Sequence, residues 1–286
     1  GLSLINPLPV YAVDYVWTDG SANGNWNDNG NWDVGGSYPD DNGDTATIAS
    51  TSRDISSFGG DITIGKLIIN GTYTGTVTFD GSMMVDDAGA HDGGFVLHAG
   101  ALALDGNGIS VDGSYTNSAT FRLHGDEPIT FSGTQEEIGT WEYVGDGTGS
   151  QTSHTLFSFG SAEYNNLTIN DTSASNSDTF APVSSPFYVK GDVTISDGKL
   201  NGTIITFFVG GDWTEASPGQ FTEGIGTIVF DGTQDQTITV NGRSYYNIRI
   251  NNTGGSGDDD VILTDTMDLL NDMTINDGDF NGGSVL

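Results

Sequence analysis

Apolar residues in this chain come in short alternating runs rather than in long blocks. Leu67-Ile-Ile-Asn70-Gly-Thr72, Val77-Thr-Phe79, Met83-Met-Val85 and Ile129-Thr-Phe131 are typical, and Gly, Asn, Asp or Ser bound each run. A period of two in β-branched and aromatic residues is the pattern of strands, and the bounding residues are those of tight turns. Good helix formers are scarce, so the pattern predicts an all-β chain.

The runs themselves repeat. Residues 191–214, GDVTISDGKLNGTIITFFVGGDWT, return without a gap 98 positions earlier as residues 93–116, where Gly93, Gly100, Leu102, Val111, Gly113 and Thr116 are identical and Tyr115 replaces Trp213. Eighty positions later, residues 271–282 share seven of twelve residues with 191–202. A second theme recurs as Leu67-Ile-Ile-Asn70, Tyr164-Asn-Asn-Leu-Thr-Ile-Asn170 and Tyr246-Asn-Ile-Arg-Ile-Asn251, always in the same order relative to the first.

Step lengths along the repeat suggest coils. Val193 to Val209 is 16 residues, Val209 to Ile228 is 19, Ile228 to Ile248 is 20 and Ile248 to Ile275 is 27, whereas Ile129 to Leu167 is 38, close to two such steps. Gaining a whole step is the behaviour of a solenoid, in which each coil contacts only its neighbours. The expected fold is therefore a right-handed parallel β-helix of roughly ten or eleven coils, with strands stacked at about 4.8 Å. Tandem immunoglobulin-like β-sandwiches are the alternative, because the repeat length fits one such domain and eight Asn-Gly dipeptides are hairpin signals.

Three segments follow from this reading. Residues 1–12 form an apolar N-terminal arm or a signal remnant, and residues 13–58 form a cap rich in Trp, Gly and Asn. Residues 59–286 form the repeat solenoid, with openings near 93, 191 and 271 and the last repeat incomplete. The cap contains Trp17, Trp26 and Trp32, three of the five tryptophans, which would cover the first rung.

The Trp17/Trp26/Trp32 opening followed by Pro39 and Asp44-Thr-Ala-Thr-Ile48, with GGDWT at 210–214, TIVFDGTQDQTI at 227–238 and YNNLTIN at 164–170, resembles large secreted bacterial β-helical repeat proteins. These are adhesin-like and autotransporter-passenger-like surface proteins. The resemblance implies surface placement, and it carries no catalytic residue across because its motifs are structural.

Charge narrows the partners. A formal net charge of -32, with only seven Lys and Arg, excludes the basic footprint that a nucleic-acid partner requires. No run reaches the roughly 18 apolar residues of a membrane span. Cysteine is absent, which removes disulfides and thiolate metal sites. Sequons at Asn70, Asn166, Asn170, Asn201 and Asn251 are those an Asn/Thr-rich chain generates by chance.

Calcium is the cation that the acidic turns would hold, because turns of Gly, Asn and Asp supply carboxylates and backbone carbonyls together. The candidates are Asp258, Asp259 and Asp260, then Asp40, Asp41 and Asp44, then Asp86, Asp87 and Asp92. Trp17, Trp26 and Trp32 are candidate stacking surfaces for a polysaccharide, with packing as the competing role. His91, His98, His124 and His154 lack metal-motif spacing and read as ordinary surface or strand residues, and neither GxSxG nor a phosphate loop is present.

The expected function is a non-enzymatic structural subunit of an extracellular or cell-surface filament, secreted by a prokaryote. Copies would join head to tail through Leu2, Leu4, Ile5, Leu8 and Val10 of the arm and Val285 and Leu286 of the open repeat. The alternatives are a fragment of a long adhesin-like stalk, or a β-helix that binds or cleaves carbohydrate.

Overall fold

A computed structural model shows an all-β chain folded as a right-handed parallel β-helix of about ten turns. The structure describes residues 12–49, 51–86, 94–148, 150–159, 163–173, 178–255 and 257–282. All pairs of named strands among the described residues run parallel, as in Leu67↔Phe95 and Ile228↔Ile248, with one isolated antiparallel bridge at Trp17↔Trp32, which excludes the antiparallel sandwich alternative. No helix among the described residues is long and apolar enough to cross a membrane.

The chain forms two compact units, residues 1–119 with 128–136 and residues 120–127 with 137–286. In the first, one face stacks Asp14–Val16, Thr45–Ile48, Lys66–Ile69, Gly94–Leu97 and Ser114–Asn117. A second face holds Thr76–Thr78 and Ala101–Ala103, and a third holds Ile62–Ile64, Met83–Asp86, Ile109–Asp112 and Ile129–Phe131. The second unit also has three faces. Its longest runs from Thr120–Leu123 through Thr140–Tyr143, Asn166–Asn170, Val193–Asp197 and Trp213–Glu215 to Asp279–Asn281.

Alternation along each strand becomes a ladder across strands. Because the pairing is in register, Ala46, Leu67, Phe95 and Tyr115 stack as one buried row and Ile48, Ile69 and Leu97 as the next. In the second unit Phe187, Phe207, Ile228 and Ile248 do the same. Burying one such side chain stabilises the fold by about 1.5–3 kcal/mol. Equal apolar residues at equal register are therefore the main stabilising device.

The glycine that recurs in the repeat has a backbone reason. Gly100, Gly198 and Gly278 all sit at positive φ, +64°, +82° and +83°, at corners that turn the chain from one face to the next. A Cβ at Gly198 would approach the Asp171 Cβ to 2.9 Å. The left-handed conformation and the close approach together require glycine there.

Within residues 13–58, Asp14–Val16 pairs with Thr45–Ile48, which pairs with Lys66–Ile69, so this segment stacks in register on the strands that follow it. Of the apparent steps, Ile228 to Ile248 is a true coil, and the step from Val193 to Val209 is corrected. True partners are 20 residues apart in Phe95↔Tyr115 and Ile228↔Ile248 and 26 apart in Trp141↔Leu167, whereas Val193 and Val209 lie on different faces. The long step from Ile129 to Leu167 does contain the strands Thr140–Tyr143 and Ser153–Leu156.

Gly198→Ala is expected to destabilise the chain by about 1–3 kcal/mol through its strained φ. Gly35→Ala, where a Cβ meets nothing within 4 Å, is the control and is expected to leave stability nearly unchanged. Urea unfolding of the two variants checks this, and equal midpoints would refute it.

Candidate functional site

The N-terminal tryptophans form a core. Trp32 packs edge-on against Trp17 at 5.1 Å and Trp26 at 4.8 Å, and Trp26 stacks on Phe58 at 4.5 Å. Trp26 Nε1 donates to the Pro39 carbonyl and Trp32 Nε1 to the Trp26 carbonyl. All three rings are buried, so Trp17, Trp26 and Trp32 present no face on which a sugar ring could stack. The reading of these residues as a carbohydrate platform is therefore corrected to packing.

Folding brings together two of the acidic groups. Carboxylate oxygens of Asp40, Asp41 and Asp44 lie within 4.8 Å of one another, as do those of Asp259, Asp260 and Asp279. Asp279 takes the place expected of Asp258 because Asp260–Leu263 pairs with Asp279–Asn281. Asp44 is buried and accepts the backbone N–H groups of Val13, Asp41 and Asp40 at 3.2–3.4 Å, so its carboxylate holds the turn shut. Burial raises the Asp44 carboxyl above its ordinary range, and those hydrogen bonds oppose the rise. Asp40 is also raised, by burial and then by the charge of Asp41. Asp86 is met by Asn42 Nδ2 at 3.3 Å. Asp87 and Asp92 lie outside the described residues, as do Leu2, Leu4, Ile5, Leu8, Val10, Val285 and Leu286.

Sequence reasoning missed a third constellation, in the second unit. His154, read as an ordinary residue, points inward from strand Ser153–Leu156 and is buried, its ring stacked 5.2 Å from that of Phe180 on the next coil. Its Nδ1 lies 2.9 Å from Asp126 Oδ2 and its Nε2 lies 3.3 Å from Asp178 Oδ2. Ligand atoms of Asp146, His154 and Asp178 all fall within 4.8 Å of one another.

The corner is held by its own hydrogen bonds. Asp178 is fully buried; its N–H donates to Asp171, and its Oδ1 accepts the Thr152 N–H at 2.7 Å. Asp146 accepts the Thr148 N–H at 2.8 Å and the Thr152 hydroxyl at 3.1 Å. Hydrogen bonds from Thr148, with smaller contributions from Thr152 and His154, hold the Asp146 carboxyl below its ordinary range. The overlooked sequence signal is Gly125-Asp126 followed by Gly145-Asp146, the same pair one 20-residue coil later.

A buried acid also interrupts an otherwise apolar ladder. Glu215 follows Ile195 in register and is fully buried. Its Oε2 accepts the Tyr245 hydroxyl at 2.8 Å, Tyr245 in turn accepts Trp213 Nε1, and Arg243 Nε lies 3.2 Å from Oε1. Burial pushes the Glu215 carboxyl above its ordinary range, while Tyr245, the Phe221 backbone and Arg243 oppose the rise.

In comparisons with known proteins, no family model matches the chain, and no curated protein or solved structure matches it significantly.

The raised Glu215 carboxyl has a pH signature. The folded chain binds this proton more tightly than the unfolded chain, so the associated stability is complete below the unfolded pKa and is lost as pH rises through the folded one. The unfolding free energy of the parent minus that of Glu215→Gln should therefore fall as pH is raised from about 4 to 8. Urea titrations across that range provide the check, and a constant difference would refute the assignment.

Proposed function

We propose that the protein is a non-enzymatic structural subunit of an extracellular or cell-surface filament of a prokaryote, its copies stacked head to tail. The supporting observation is an apolar row on the strand Asp268–Asp277 that no described residue covers. Tyr245, Ile248 and Ile250 are buried beneath it, and their register partners are Leu269, Met273 and Ile275. Ile275 and the neighbouring Leu270 are 53% and 55% exposed. An added rung in register would continue the ladder and cover these positions, and a second copy is the occupant the repeat favours because it carries rungs of the same spacing.

The surface chemistry agrees with this reading. Four of the seven Lys and Arg, namely Arg53, Arg122, Lys190 and Arg243, each pair with a carboxylate, so most of the few cations are neutralised locally. The outer surface is suited to remaining soluble while the rung edge associates.

Negative-stain electron microscopy and sedimentation of the purified chain, with calcium and with chelator, test the proposal. Uniform fibres that grow with concentration are expected, and Leu270→Lys with Ile275→Lys should abolish them while circular dichroism stays unchanged. Separate short rods at every concentration would overturn the filament reading in favour of a stalk segment covered by further coils.

A further inference from the structure

The corner around His154 gathers donors from three successive coils, of which His154 and Asp178 are buried. Asp126 comes from the first, Asp146 and His154 from the second, and Asp178 from the third. We infer that it is a binding site for one divalent first-row transition-metal ion, zinc being the type case, held by His154 Nε2 and the carboxylates of Asp146 and Asp178.

The geometry fits ligation better than a set of hydrogen bonds. Ligands about 2.0–2.1 Å from a tetrahedral zinc are about 3.3–3.4 Å apart. Nε2 of His154 and Oδ2 of Asp178 are separated by 3.3 Å. The other contacts of that oxygen are equally long, 3.4 Å to the Asp146 N–H and 3.4 Å to the Ser173 hydroxyl. Among the described residues, this fully buried carboxylate oxygen thus has three partners around it and none at ordinary hydrogen-bond distance, although its twin Oδ1 is well bonded at 2.7 Å. A cation between these groups would satisfy it.

The surroundings supply what a metal-binding histidine needs. Nδ1 of His154 faces Asp126 Oδ2 at 2.9 Å, and Asp126 is itself fixed by the Thr155 N–H at 3.1 Å. A carboxylate on the far nitrogen sets the tautomer that leaves Nε2 free for a metal and orients the ring. Asp171 positions Asp178 through its backbone N–H.

Room is kept by glycine. A Cβ at Gly145 would stand 2.5 Å from Asp178 Oδ2 and 2.6 Å from Asp171 Oδ1, and one at Gly125 would stand 2.5 Å from the His154 Cβ. Asp146 is half-buried and forms the open side of the site. One imidazole with two carboxylates suits zinc or manganese, whereas calcium takes an all-oxygen set. Bound there, the ion would tie consecutive coils together.

The test uses the whole chain after chelator treatment. Added zinc is expected to raise Tm in a concentration-dependent way, and cobalt is expected to give visible absorption bands that zinc displaces. Asp146→Asn, at the open side, should lose both responses with unchanged circular dichroism. Asp126→Asn, a positioning change, should weaken binding by about 10- to 100-fold. Asp40→Asn with Asp41→Asn should retain both responses, which separates the site from an acidic surface cluster. The proposal is overturned by a Tm indifferent to zinc and manganese, by cobalt bands that persist in Asp146→Asn, or by stabilisation from calcium alone.

Discussion

In-register parallel stacking is the constraint on which everything else in this protein depends. Each rung lies about 4.8 Å from the next, so an inward side chain meets the same position of the neighbouring coil before it meets anything else. The stack of Phe95 on Tyr115, 5.6 Å apart, is a direct result, and the same register stacks Tyr188 on Phe208, 4.7 Å apart, on the outer surface. Stability then accumulates rung by rung through local interfaces, without a single central core.

The same constraint explains the buried polar residues. A polar group on an inward row can be satisfied only by a corner or by an adjacent coil. Gln236 donates to the Val209 carbonyl at 2.9 Å and to that of Gly211, while its oxygen accepts the Gly232 N–H at 2.9 Å. Asn117 accepts the Ala119 N–H at its own corner. Such residues fix which positions turn, and a slipped register would leave them without partners.

Much of the fold was legible because stacking writes itself into sequence. Gly100, Gly198 and Gly278 recur because each corner needs a left-handed residue, and the alternating runs recur because each rung fills the same interior. Coil length was less legible. Strands on different faces look alike, so Val193 and Val209 were compared although they never pair. The fate of Trp17, Trp26 and Trp32 turned on burial, which residue type alone does not decide. The His154 corner was hidden for another reason. Its members span 126 to 178 and only the register brings them together, so the repeated Gly-Asp pair at 125–126 and 145–146 does not by itself point to His154 or Asp178.

Unequal coil length has a consequence of its own. The connections between Thr140–Tyr143 and Ser153–Leu156, and between Asn166–Asn170 and Thr179–Pro182, are long, whereas the corresponding turn between Val193–Asp197 and Lys199–Asn201 is the single residue Gly198. Doubling a loop costs only about 0.6 kcal/mol in closure entropy. The strands on either side keep their partners whatever the loop between them carries. Such a corner can therefore acquire new chemistry by loop exchange without renegotiating the fold, which makes it a natural place for variation among chains built on this scaffold.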